Sequence, residues 1–279
     1  MKLIRCLLFF LLFTSPLELL ARPDSLAQAK QLASFDRAIA ISVSPALGEV
    51  FVLDIDRAML YKFDNTDRLV RSIGGYGIDR DAFATPTDLS AADGVNVFVA
   101  DRGNQRVVQY DRWLNYVTSL KTSPSQQSGL TDAALWRPIS VSVSPQGEFF
   151  ILEETQRQII RVNPFNFPNA FSDLSSLLRF GGFSSGRGNL HEPYQIEVSP
   201  SSIVFVSDVQ QGLVVAYDQF GNYISQIGKG VLHQPKGLCS ARLVTTLRTG
   251  EKEFREYLFA VDRGEVFVFS AEQNRGFVQ

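Results

Sequence analysis

The chain has 279 residues, 45% of them apolar, and its 27 basic and 29 acidic side chains leave a formal net charge of −2. A balance this close to neutral gives no electrostatic case for nucleic acid or an anionic membrane surface. Abundant glycine and phenylalanine, with only two methionines, suit turns and strands better than helices.

Taken in chain order, residues 1–21 read as an export signal. Lys2 and Arg5 form a positive start, "LLFFLLF" is the apolar stretch, and Leu19 and Ala21 partly fit a small-residue cleavage site. Pro16 and Glu18 interrupt the apolar run before the ~20 residues that a spanning helix needs, so no stable membrane span is expected. Cys6 precedes the apolar stretch and makes a poor lipoprotein cysteine. The expected location is periplasmic or extracellular. Residues 22–38 form a lead-in segment, and residues 39–279 carry everything described next. After cleavage Cys239 is the one cysteine left, which rules out an internal disulfide and suits a small buried hydrophobe.

From residue 39 onward one pattern recurs. "VADRGNQRVVQYD" from Val99 is matched in outline by "VLDIDRAMLYKFD" from Val52, "ILEETQRQIIRVN" from Ile151, "VSDVQQGLVVAYD" from Val206 and "AVDRGEVFVFS" from Ala260. Each places an acidic residue at the end of an apolar run: Asp54, Asp101, Glu153, Asp208 and Asp262. Upstream, "FATP", "LWRP", "LHEP" and "LHQP" end at Pro86, Pro138, Pro193 and Pro235. Short alternating runs such as "EVFVLD" and "NVFVAD", bounded by turn residues, read as strands. Four short strands repeated every ~40–50 residues predict an all-β propeller whose blades are stable only when stacked.

These residues resemble the NHL repeat, a β-propeller repeat family. The hairpin beginning at Val99 and the turn "YDQFGNYISQIG" from Tyr217 carry the resemblance best. It implies four-stranded blades, commonly six. Five units are visible, so five blades are expected, with six the alternative.

A carboxylate that recurs in every unit is read as a structural part, accepting hydrogen bonds from backbone N–H groups of its own turn. Arg106 is placed to pair with Asp101, and Gly103 and Asn104 are candidates for positive φ. Phe63, Tyr110 and Tyr217 are read as packing between blades.

Function is expected where the repeats differ. The residues around the prolines do so: Trp136 and Arg137, His191 and Glu192 with Tyr194, and His233 with Lys236. The resemblance implies that this segment opens onto one face near the channel, so these seven residues form the candidate site for a ligand or partner. His191 and His233 are the two histidines of the chain, and some propellers of this type hold a metal with three; the missing third makes a metal site the weaker reading. Two insertions stand out: residues 163–180, rich in phenylalanine, and residues 241–257, an extended hairpin with its tip near Thr249 and Gly250. No nucleophile elbow, P-loop or dinucleotide fingerprint is present.

The expectation is a non-catalytic binding or scaffold module, without a cofactor, for a protein or polar polymer at the cell envelope. It would act as a monomer or within a hetero-complex. The alternatives are a divalent-metal lyase or lactonase centred on the channel, and a structural subunit of an envelope complex.

Overall fold

The computed structural model describes residues 31–44, 46–121, 136–144, 146–163, 177–184, 186–246, 252–272 and 276–278. The export signal, most of the phenylalanine-rich insertion and the tip at 249–250 lie outside them. The chain divides into two units, Met1–Ser34 and Phe35–Gln279. In the first, the Gln31 side-chain amide donates to Ser34 Oγ at 3.0 Å. Among the described residues no helix is long and apolar enough to cross a membrane.

The second unit is built from five four-stranded antiparallel sheets. Blade 1 holds β1 (Ala38–Ser44), β2 (Glu49–Asp54), β3 (Met59–Phe63) and β4 (Leu69–Gly74). Blade 2 holds β5 (Pro86–Ser90), β6 (Asn96–Asp101), β7 (Arg106–Asp111) and β8 (Tyr116–Lys121). Blade 3 holds β9 (Pro138–Val143), β10 (Phe149–Glu153), β11 (Gln158–Val162) and β12 (Leu178–Gly181). Blade 4 holds β13 (Pro193–Val198), β14 (Val204–Asp208), β15 (Leu213–Tyr217) and β16 (Tyr223–Ile227). Blade 5 holds β17 (Pro235–Thr246), β18 (Lys252–Asp262), β19 (Glu265–Glu272) and β20 (Gly276–Val278). In every blade the strands pair in sequence order, and the first strand is innermost, β1 lying on β5, β5 on β9, β9 on β13 and β13 on β17.

The core lies between blades rather than within one. Four clusters of buried side chains fill the junctions of blades 1 and 2, 2 and 3, 3 and 4, and 4 and 5. Each uses the alternation of strands, in which one set of side chains faces the blade before and the other the blade after. Tyr110 and Tyr217 belong to these clusters, and Phe63 is also buried.

The innermost strands are sheet edges, and their outward N–H groups need partners. Side chains of the preceding blade supply them. The Ser42, Ser90 and Ser142 hydroxyls accept from the N–H groups of Ala91, Val143 and Val198 at 2.9, 3.2 and 3.0 Å. Glu197 does the same for Ser240, at 2.9 Å. A second row runs one step nearer the prolines, where Asp88, Ser140 and Gln195 accept from Val141, Ile196 and Leu238. Blade 5 carries Gly237 and Cys239 at these two steps, residues with no side-chain oxygen.

The acidic positions tie each blade together in two directions. Asp54 accepts from its own turn, at Asp56 N and Arg57 N, and from the incoming segment, at Asp36 N and Arg37 N. Asp208 repeats this with Gln211 N behind and His191 N and Glu192 N ahead. Glu153 holds Thr155, Gln156 and Arg137, so its longer side chain serves the same turn. Asp262 takes the N–H groups of His233 and Gln234 at 2.6 and 2.8 Å. Asp101 adds an ion pair with Arg106 at 3.0 Å, both side chains buried.

The turn after Asp101 corrects one expectation. Its left-handed residue is Gln105, with φ 51°, and the same step holds Ala58, Arg157 and Gly212 in the first, third and fourth blades. Gly103 is needed for room instead: a Cβ there would lie 2.7 Å from the backbone nitrogen of Thr85. Gly103→Ala is expected to destabilise the fold by about 1–3 kcal/mol, read from the urea midpoint. An unchanged midpoint would show that Thr85 moves aside freely.

Candidate functional site

A bulge follows each proline. The register with the second strand slips between Pro86 and Asp88, between Pro193 and Ile196 and between Pro235 and Gly237, with a matching slip after Ala38 in blade 1. Bulges re-aim side chains at the rims of sheets. Here the residue just past the start of each innermost strand, Ile39, Thr87, Ile139, Tyr194 and Lys236, lines one cavity of about 850 Å³. All five blades therefore contribute to one site, at the end of the disc where the prolines lie.

Its wall mixes charged side chains with apolar surface from Ile39, Ile55, Ile139 and Tyr194. Arg37, Arg102 and Arg157 stand with Lys236 against Glu154 and Glu192, and His191 joins them. Arg102 makes a two-pronged pair with Glu154, at 2.9 and 3.0 Å, which joins blades 2 and 3. Arg37 pairs with Asp56 at 2.7 Å. Arg157 and Lys236 form no ion pair among the described residues; their cations lie over the rings of Phe183 and Tyr194, 5.1 and 5.5 Å from the centroids. Four cations stand against the three carboxylates Asp88, Glu154 and Glu192, so the cavity leans towards negative ligands.

The lining also includes Asp88, which is buried and, when ionised, only accepts hydrogen bonds. Its Oδ2 accepts from Ser140 Oγ and from Val141 N. Burial pushes its pKa up to about 7, against the partial opposition of those hydrogen bonds. Glu197, in the same ring of inner strands, is likewise pushed up to about 7 by burial, with the charge of Asp88 adding to the effect.

Of the seven residues singled out in the sequence, His191, Glu192, Tyr194 and Lys236 line the cavity. Arg137 sits beside it, 3.7 Å from Glu154. Trp136 is not on the rim: it is 5% exposed and packs in the cluster between blades 2 and 3, because that junction needs a large ring to fill it. His233 is not among the lining residues either. Its side chain is 58% exposed and its Nδ1 lies 3.7 Å from Asp262. His191 instead meets the Asn189 amide, 2.8 Å from its Nε2. The histidines thus have separate surroundings, and among the described residues no group of three or more metal-ligating side chains converges.

Sequence reasoning missed Arg37, Arg102, Glu154, Arg157 and Asp88. Arg102 and Glu154 directly follow a turn carboxylate, so they were absorbed into the turn. The signal for Asp88 was a carboxylate at an inner-strand step where blade 3 has Ser140.

Fold and site together define a five-bladed β-propeller with a cation-bearing cavity drawn from every blade. No family model matches the chain, and no curated protein matches it. Among solved structures, it is similar to a catalytically inactive virginiamycin B lyase from Staphylococcus aureus with quinupristin, at 12% identity and a TM-score of 0.52 over 84% of this chain and 69% of that one. It is similar to a streptogramin B lyase at 10% identity and a TM-score of 0.51, covering 86% and 81%. It is similar to the dihydro-heme d1 dehydrogenase NirN in complex with DHE at 14% identity and a TM-score of 0.55, over 86% of this chain and 45% of that one. These likenesses are of fold.

Proposed function

We propose that the protein is an exported binding module of NHL type, which takes an acidic segment of an envelope protein or polymer into the cavity at the proline end. One observation carries this reading: five consecutive blades each place a side chain in a single cavity whose cations outnumber its carboxylates. The volume is in the range of small-ligand sites, and the bulged strands hold the side chains without a disorder-to-order cost. The fold by itself assigns no reaction. The lyase names of two solved neighbours support a second reading, catalysis at the same cavity.

The test uses two acidic probes, an oligoglutamate peptide and an oligogalacturonate, with an uncharged oligosaccharide as reference. Both acidic probes, or one of them, are expected to bind with a salt-sensitive affinity, and Arg157→Glu with Lys236→Glu is expected to weaken it by about tenfold or more. Equal binding by wild type and variant, or no preference over the uncharged reference, overturns the proposal. A probe that is consumed rather than released moves the protein to the catalytic reading.

A further inference from the structure

Apolar and charged surface are shared unevenly around the cavity. Blade 1 lines it with Ile39 and Ile55, and its incoming segment adds Arg37, whose guanidinium is drawn to Asp56 at 2.7 Å. Blade 3 adds Ile139 and blade 4 adds Tyr194. Two register steps produce this pattern. Just past the start of the innermost strand, blade 1 has Ile39 where blades 2 and 5 have Thr87 and Lys236. Directly after the turn carboxylate, it has Ile55 where blades 2 and 3 have Arg102 and Glu154. At both steps blade 1 is aliphatic where its neighbour in the chain is polar. Ile39 is 39% exposed, and Ile55 and Ile139 are part-buried. Among the described residues Ile39 and Ile55 belong to none of the four core clusters, so blade packing does not account for them.

An aliphatic side chain does nothing to hold an anion. Facing water it is unfavourable, and a ligand gains affinity by covering it with apolar surface of its own. The Proposed function admits acidic peptides and acidic sugars alike, and the isoleucines separate the two. Sugar hydroxyls set against Ile39, Ile55 and Ile139 would lose water and find no hydrogen-bond partner there. The Tyr194 ring, which could stack on a sugar face, already carries the Lys236 cation 5.5 Å from its centroid. A peptide has no such conflict, because it can present a leucine-like side chain and carboxylates from neighbouring residues.

We propose that the cavity selects, among acidic ligands, a peptide segment in which an aliphatic side chain stands beside carboxylates. The aliphatic group lies against Ile39, Ile55 and Ile139, and the carboxylates turn towards Arg157 and Lys236. This rests on the cavity being an anion-binding site, as argued above. The test compares two hexapeptides with blocked ends and equal charge, one alternating Glu and Leu, the other alternating Glu and Ser, with the oligogalacturonate as third probe. The Glu–Leu peptide is expected to bind about tenfold more tightly than the Glu–Ser peptide and than the oligogalacturonate. Ile39→Thr with Ile139→Thr keeps the β-branched shape and copies what Thr87 already provides in blade 2. It is expected to remove most of the preference for leucine while leaving Glu–Ser affinity unchanged. Ile39→Thr alone, at the more exposed position, is expected to lower the preference about threefold and serves if the double variant does not fold. Arg157→Glu with Lys236→Glu should weaken both peptides alike. Equal affinity for the two peptides, a preference untouched by the threonine variants, or tighter binding of the oligogalacturonate overturns this inference and leaves the anion-binding reading standing. Indifference of every probe to the charge-reversal variant overturns that reading, and this inference with it.

Discussion

Asp101→Ala is expected to destabilise the protein by about 3–5 kcal/mol, because it strands a buried cation. The carboxylate is wholly buried and accepts from Arg106 Nε at 3.0 Å, from the Asn104 amide at 2.7 Å and from the N–H groups of Ala84 and Thr85. Arg106 is 2% exposed, and its other donors reach the carbonyls of Asp79 and Ala82. Removing the anion leaves that guanidinium with neutral partners only, in a place water does not reach. Asp262→Ala is the useful contrast. Its carboxylate holds two backbone N–H groups and no arginine, so a loss nearer 1–2 kcal/mol is expected. Urea midpoints for the two variants give the comparison. Equal losses would mean that the Arg106 pair adds nothing beyond the turn.

The second large effect concerns pH. Asp88 is a buried carboxyl and Glu197 a half-buried one, and the pKa values of both are pushed up to about 7 in the folded protein, from ordinary values of 3.8 and 4.5. The folded state thus binds more protons than the unfolded state between about pH 4 and pH 7, and stability falls as pH rises through that window. Each carboxyl costs roughly 2–4 kcal/mol by pH 8 relative to its protonated form. Asp88→Asn with Glu197→Gln keeps an oxygen for the Ser140, Val141 and Ser240 hydrogen bonds but cannot ionise. The double variant is expected to match wild type at about pH 4 and to unfold at clearly higher urea at pH 8. Parallel curves for the two proteins from pH 5 to pH 8 would show that neither carboxyl titrates abnormally.

Much of the fold was legible because it rests on spacing. The acidic turn residue and the proline are partners across the first two strands, as Pro86 is to Asp101 and Pro193 to Asp208. A pairing that recurs at fixed register leaves its mark on a single sequence. Five blades could be counted for that reason, although membership of the NHL family stays a reading of the residues. The site was legible only in part. Residues beside the prolines were found because they vary while their backbone does not. Trp136 was misplaced because a strand start gives no sign of which way a ring turns, and a blade junction takes an aromatic as readily as a rim does. Arg102 and Arg157 escaped notice because the approach of Arg102 to Glu154 of the next blade, and of Arg157 to Phe183, depends on tertiary stacking, which leaves no periodic trace. The extended hairpin at 241–257 was legible as an element, but the exposure of its Leu243, Val244 and Phe254 was not.

Among the described residues every sheet is woven from consecutive strands, and none borrows a strand from the other end of the chain. The propeller is accordingly a linear array of blades. Its stability is a sum of blade and neighbour contributions, with blades 2, 3 and 4 flanked on both sides and blades 1 and 5 on one. Local opening then starts at the two ends of the array and works inward, while the middle blades hold out longest. A contact between blades 5 and 1 would do more than cover apolar surface: it would give the end blades their second neighbour and make the array cooperative as a whole.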